Sequence, residues 1–360
     1  MEEATTYKLG DISTMKYGKL PPKHINEGNY PIWSGYRYVG KCNEFNCNKG
    51  DIIIVARGVG GTGDVKIAKE DCYLTNLSIQ VKLDKNICQP EYFYYSYLLS
   101  NLKYLDSGSA QSQITIEDLK RLEVTLPPLE QQYKITDILK SIDEKIELNR
   151  QINDNLEQQA SSLLSDWIST YPCRTYKLSD ICKYANAKCE TGNLTPQNYI
   201  STENMLPNKK GIVEASNIPT GKATCFKVDD ILIANIRPYF QKIWKADING
   251  GCSADVLCIR ANIESHSPIL YWLLHQDAFF EYVMTGAKGC KMPRGDKQHI
   301  MNWSIDLPEV QYWADLATQL GSIDQQIAYN RIESINLSNL RDTLLPKLMS
   351  GEIKINEIDC

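Results

Sequence analysis

The sequence predicts an α+β chain in which two tandem mixed α/β domains are separated by two long helices, which pair as an antiparallel coiled coil in a pseudo-twofold arrangement. Three observations lead there. A heptad ladder runs through Ile135, Leu139, Ile142, Ile146, Asn149, Asn153, Leu156, Ala160, Leu163 and Trp167. It returns 181 residues later at Leu316, Leu320, Ile323, Ile327, Asn330, Ser334, Leu337, Arg341, Leu344 and Leu348. Apolar positions held at a 3.5-residue period mark helices that supercoil on a partner, and the chain carries its own partner. Paired openings are the second observation: Tyr7-Lys8-Leu9-Gly10-Asp11-Ile12 and Tyr176-Lys177-Leu178-Ser179-Asp180-Ile181. The third is a pair of glycine- or aspartate-bounded apolar runs that end on arginine, Ile52 to Arg57 and Ile231 to Arg237.

In chain order, those two runs read as buried strands. The first leads into Gly58-Val59-Gly60-Gly61-Thr62-Gly63 and the second into Pro238-Tyr239-Phe240-Gln241-Lys242. Further strands are expected at residues 73–83 and 256–260, and helices at 92–102 and 269–283. Each half then reaches a glycine-bearing polar loop, residues 107–113 or 285–291. Leu126-Pro127-Pro128 and Leu307-Pro308 block helix continuation before each ladder starts. Asn149 and Asn330 sit near the middle of their ladders. In an antiparallel pair they lie close to the axis and set the coiled-coil register by pairing, against the alternative of solvated kinks.

At 360 residues the chain has room for two or three domains, and 42% hydrophobic residues is ordinary for a globular protein. No signal-peptide pattern opens it and no run of eighteen apolar residues interrupts it, so a cytoplasmic location without membrane association is expected. The twelve cysteines show neither C-x-x-C spacing nor neighbouring histidines, which points to reduced thiols and no metal site. The net charge of −5 is unevenly spread. Residues 1–127 carry 15 basic and 15 acidic side chains, and residues 172–308 carry 16 and 13. Segments 128–171 and 309–360 each have 4 and 8. The acid excess belongs to the helices, leaving both globular parts able to present basic faces.

No catalytic residues are expected. Gly58-Val59-Gly60 follows a strand, but Thr62-Gly63-Asp64 leads into another alternating run, so no helix N-terminus is available to cradle phosphate. Asn235-Ile236-Arg237-Pro238-Tyr239 has the wrong spacing for an Asn-Pro-Pro-Tyr base-holding element. His24, His266, His275 and His299 show no metal or triad spacing.

The doubled openings, the doubled strand-arginine runs, Leu126-Pro127-Pro128-Leu129-Glu130-Gln131-Gln132, the Ser-Ile-Asp to Asn-Arg segments at 141–150 and 322–331, and the ending Leu345-Pro346-Lys347-Leu348-Met349-Ser350-Gly351 together resemble the specificity (S) subunits of type I restriction-modification systems. The resemblance covers essentially the whole chain. Leu307-Pro308-Glu309-Val310-Gln311 departs from the family pattern, lacking the second proline and the Leu-Glu-Gln order. The resemblance implies target recognition domains at 1–126 and 172–307, a central helix at 127–171 and a C-terminal helix at 308–360. It implies a non-catalytic subunit that reads a bipartite double-stranded DNA target and docks two methyltransferase (M) subunits and restriction (R) subunits. Cofactors would then belong to those partners, S-adenosylmethionine and ATP with magnesium, and none to this chain. A ladder of 33 residues spans about 50 Å, so the helices would act as a ruler between half-sites. The alternative is a protein-interaction scaffold or regulator of a restriction complex that contacts no DNA.

Under the DNA reading, polar side chains on glycine-flexed loops are the candidates for base edges and phosphates. In the first domain these are Ser34, Tyr36, Arg37, Arg57, Gln111 and Gln113. In the second they are Lys209, Asn235, Arg237, Tyr239, Lys288, Lys291 and Arg294. Arg57 and Arg237 have a rival role as anchors of their own domains, because both halves share them. The run Tyr92-Phe93-Tyr94-Tyr95 reads as core in preference to a stacking platform.

Overall fold

A computed structural model describes residues 4–23, 25–58, 61–106 and 112–353. The chain divides into two compact units. One comprises residues 1–147 with 334–360, and the other residues 148–333. The long helices Leu129–Thr170 and Trp313–Ser350 each contribute one part to each unit.

In the first unit, an antiparallel four-stranded sheet has the order Ser13–Tyr17, Ser78–Leu83, Ile52–Val55, Val65–Ile67. Ile52–Val55 is flanked by a strand on each side and buried along its whole length, which explains its unbroken apolar sequence. A smaller sheet joins Tyr30–Ser34 to Arg37–Cys42 and, in parallel, to Tyr73–Leu74. The expected single strand at 73–83 is therefore two. Tyr73–Leu74 pairs in the small sheet, a turn closed by Ser78 N–H donating to Thr75 O at 3.1 Å redirects the chain, and Ser78–Leu83 enters the larger one. The expected helix at 92–102 is Pro90–Ser96, with a separate 3-10 turn at Lys103–Leu105. Ile54, Ile79, Val81, Tyr92 and Phe93 share one core with Ile135 and Leu139 of the first long helix and Leu345 and Leu348 of the second.

The second unit repeats the plan. Its four-stranded antiparallel sheet runs Cys182–Tyr184, Val256–Ala261, Ile231–Ala234, Ile243–Lys245, with Ile231–Ala234 fully buried. A further sheet is built from Lys188–Glu190, Lys222–Phe226, Gly250–Cys252 and Tyr199–Ile200. The apolar stretch expected as one helix at 269–283 is two, Ser267–Leu274 and Asp277–Thr285, because Gln276 is extended at φ −70°, ψ 148° and starts a new helix.

Within each unit the long helices run antiparallel. In the second, Trp167 Nε1 donates to Tyr312 O at 3.0 Å and Asn153 Nδ2 to Ile327 O at 3.4 Å. In the first, Arg341 pairs with Asp143 at 2.7 Å. No ladder residue is exposed, as a heptad seam requires. Asn149 and Asn330 are both buried, at 1% and 3%. Asn149 Nδ2 donates to Glu333 Oε2 at 2.6 Å and to Asn330 O at 3.4 Å, while Asn330 Nδ2 donates to Asn153 Oδ1 at 2.8 Å, so both side chains bond across the helix pair.

Two aspartates at matching positions of the long helices, Asp143 and Asp324, each one residue after a ladder isoleucine, tie each domain to a long helix. Asp143 accepts from Tyr95 Oη at 2.8 Å and from Arg341. Asp324 accepts from Trp272 Nε1 at 2.8 Å and pairs with Lys245 at 2.6 Å. Gln132, fully buried, locks the start of the first long helix. Its Nε2 donates to Ile87 O and Pro127 O, and its Oε1 accepts from Gln89 N–H.

Candidate nucleic-acid interface

In the first unit the tight turn between Tyr30–Ser34 and Arg37–Cys42 brings Ser34 opposite Arg37. Gly35 supplies the turn at φ 61°, a left-handed conformation that a Cβ would disfavour. Arg37 Nε donates to Tyr36 Oη at 2.9 Å, and its guanidinium lies 5.2 Å from the Tyr36 ring centroid. Ser34 Oγ accepts from the buried Thr75 hydroxyl at 3.2 Å. A Cβ on Gly35 would meet Arg57 O at 3.5 Å, and one on Gly61 would meet the Tyr36 ring at 2.9 Å, so the turn packs beside the end of the Ile52–Val55 strand. There Arg57 forms a β-bridge with Gln113, whose N–H donates to Asp106 Oδ1 at 2.8 Å. Ser34, Tyr36, Arg37, Arg57 and Gln113 thus converge. Gln111 and His24 lie outside the described residues.

The second unit builds a corresponding arrangement by other means. Asn235 and Arg237 follow the Ile231–Ala234 strand, where Ile236 bridges Arg294 and Arg237 N–H donates to Pro293 O at 2.7 Å. Lys288 and Arg294 exchange backbone hydrogen bonds of 2.9 Å, which places Lys291 in the exposed turn between them. Lys288 Nζ lies 2.5 Å from Asp296 and holds that carboxyl down to about 2, helped by the His299 and Gln298 N–H groups. Arg294 pairs with Asp255 at 3.1 Å. Tyr239 is 49% exposed on the 3-10 turn Pro238–Phe240, its ring 4.7 Å from Phe240.

Lys209 sits apart from these. Its side chain is only 16% exposed and ion-paired to Asp277 at 2.6 Å, and this partner holds the Asp277 carboxyl below its usual range. Its neighbour Lys210 is exposed. The polar residues that tie domain to helix, half-buried Asp143 and Asp324 and buried Gln132, lie on the long helices and so are not among the loop candidates. A signal was available for the aspartates, which share the 181-residue offset of the ladders.

Among the described residues, no cluster of three or more His, Cys, Asp or Glu side chains could hold a metal ion, and no helix is long and apolar enough to cross a membrane. Two clefts, of about 410 and 350 Å³, occupy matching places beside the strands Cys173–Lys177 and Thr5–Lys8. Tyr176 and Trp313 line one, Tyr7 and Pro128 the other, and no candidate DNA contact lines either.

Residues 1–158 match the family model described as the type I restriction modification DNA specificity domain. The MjaIX type I restriction enzyme specificity subunit of Methanocaldococcus jannaschii is 24% identical, over 98% of this chain and 94% of its own length. The EcoDI specificity subunit of Escherichia coli is 20% identical, over 97% and 88%. Among solved structures, the S subunit of a type I restriction-modification system from M. genitalium superimposes with a TM-score of 0.61 at 19% identity, covering 96% of each chain, and has the same fold.

Proposed function

We propose, from the premise that this chain belongs to the type I restriction-modification specificity subunits, that it determines the DNA target of a restriction-modification complex and performs no chemistry itself. Residues 1–126 and 172–307 each read one half of a bipartite duplex sequence. The observation that carries this reading is the pair of polar clusters at the ends of matching strands, one around Arg57 and Gln113, the other around Arg237 and Arg294. The strand ends correspond while the loops around them differ, which suits two readers of unlike sequence on one scaffold.

Arg, Asn and Gln side chains can bond base edges bidentately in the major groove, and Lys288 and Lys291 suit phosphates. Arg37 stacked on Tyr36, and Tyr239 beside Phe240, supply flat surfaces against sugar or base. The helix Leu129–Thr170, 42 residues long, measures about 63 Å, and the length of the helix pair sets the spacing between half-sites. Their acid-rich faces suit protein docking better than phosphate contact. Two methyltransferase subunits and restriction subunits dock there, bringing S-adenosylmethionine and ATP with magnesium as their own cofactors.

The test is selection from a pool of randomised duplexes by the chain assembled with its methyltransferase partner. One bipartite motif should emerge, and the logarithm of affinity should fall linearly with the logarithm of salt concentration. Recovery of an unselected pool would favour the scaffold reading.

A further inference from the structure

We propose that Arg57 and Arg237 are two phosphate anchors, each gripping the DNA backbone in its own half-site without reading a base. This rests on the DNA-reading function proposed above and divides its labour: the shared arginines position, and the divergent loops around them specify.

The arginines occupy neighbouring places in the two plans: Arg57 is the second residue after its strand and Arg237 the third, Ile236 being the residue in register with Arg57. Each follows the third strand in the order of a four-stranded antiparallel sheet, Ile52–Val55 or Ile231–Ala234. Each strand end is bridged at or just past the end of the half's glycine-bearing loop, through Arg57 with Gln113 and through Ile236 with Arg294.

Their side chains are also exceptional. The fold half-buries Arg57, Arg237, Arg260, Arg331 and Arg341. Three of these have a carboxylate: Arg260 grips Asp230 through two bonds of 2.6 Å, Arg331 pairs with Asp247, and Arg341 with Asp143 at 2.7 Å. Arg57 and Arg237 have none. In both, Nε is sealed from solvent with no hydrogen-bond partner, and neither guanidinium makes an ion pair among the described residues. Withdrawing a cation from water without a counter-charge is unfavourable. That the same cost is borne just beyond the end of the corresponding strand in both halves, and at no other half-buried arginine, points to an anion supplied from outside.

The backbone adds to this at Arg237. It stands at φ 51°, ψ 63°, a left-handed conformation disfavoured for any residue with a Cβ and more so before a proline. The bond from its N–H to Pro293 O holds it there, and such strain persists where the surroundings fix a side chain for use. An anchor through the fold, the rival role, would require intramolecular partners that these guanidiniums lack among the described residues.

The class of anion follows from the duplication. Gly58 follows Arg57, whereas Pro238 and Tyr239 follow Arg237, so the two surroundings are built to meet different bases. What both halves retain should meet what both half-sites share, which is the phosphodiester backbone. A planar guanidinium matches two phosphate oxygens bidentately.

The test uses the full chain assembled with its methyltransferase partner, a duplex selected from a randomised pool, and the variants Arg57→Gln, Arg237→Gln, Arg57→Lys and Arg237→Lys. Each glutamine variant should weaken binding about tenfold. It should also reduce the slope of log affinity against log salt by about one, and select the same bases as the parent. The lysine variants should regain the slope and part of the affinity. Relaxed preference at one base pair would overturn the proposal in favour of base reading. An unchanged slope with a lowered melting temperature would overturn it in favour of a fold anchor. A parent complex without salt-dependent selection would remove the underlying function as well, and is distinguishable because it needs no variant.

Discussion

Asp324→Ala removes the carboxylate through which the second unit's sheet and helices meet a long helix. Asp324 and Lys245 are 10% and 12% exposed, 2.6 Å apart, and Trp272 Nε1 donates to the same carboxylate at 2.8 Å. Burial pushes the Asp324 carboxyl above its usual range, against the pull of Lys245 and the Trp272 bond. The pair therefore adds little over an apolar contact, but breaking it is expensive. Loss of one partner of a buried pair costs about 3–5 kcal/mol. Lys245 retains Asp229 at 3.0 Å, which moves the expectation to the lower end, about 3 kcal/mol, including the Trp272 N–H left without an acceptor. Removing Lys245 as well, in Asp324→Ala with Lys245→Met, eliminates the stranded cation and should recover about 1 kcal/mol or more. Urea unfolding followed by tryptophan fluorescence reports on this unit, since Trp167, Trp244, Trp272, Trp303 and Trp313 belong to it and only Trp33 to the other. A single variant within about 0.5 kcal/mol of the parent, or a double variant costing the sum of both singles, would refute the reasoning.

Three further outcomes are expected. Deleting one heptad from both ladders removes about 10 Å of helix and should shorten the spacer of the selected DNA motif while leaving both half-sites intact; an unchanged spacer would contradict the ruler. Gln132→Leu strands Gln89 N–H, Ile87 O and Pro127 O and should cost about 2–4 kcal/mol, read as loss of hydrogen-exchange protection at the start of the Leu129–Thr170 helix; parent-like protection there would count against the lock. His275, beside Lys209 and Asp277, is held neutral by burial and its value falls to about 3. The unfolded chain takes up its proton near pH 6.5 and the folded chain does not. Its stability contribution is therefore complete above pH 6.5 and is lost as pH falls toward 3, by up to about 1.4 kcal/mol per unit. His275→Leu should flatten that acid slope in the fluorescence assay, and a slope parallel to the parent's would exclude the histidine as its source.

The features legible in the sequence are those that repeat or have a period. The ladders, the matching openings and the strands Ile52–Val55 and Ile231–Ala234 declare themselves because one face or both must be apolar along their length. Partners distant in the chain did not. The run at 73–83 looks like one strand because both of its pieces are buried, and only pairing with Tyr30–Ser34 shows where it changes sheets. Lys209 reads as a loop cation until Asp277, 68 residues on, is found 2.6 Å away. Asp143 and Asp324 were visible as repeats, but their partners Tyr95, Arg341, Lys245 and Trp272 come from elements that only tertiary packing brings together. The site was legible as residue types on flexed loops. The convergence of Ser34, Arg57 and Gln113 depended on a bridge closed across 56 residues.

The central claim, that this chain chooses the DNA target, is tested most directly by single-molecule sequencing of methylated adenines in cells that carry the chain with its methyltransferase partner, and in cells that lack only the chain. The account predicts one bipartite N6-methyladenine motif that disappears when the chain is removed. A methylation pattern unchanged by that removal would contradict it.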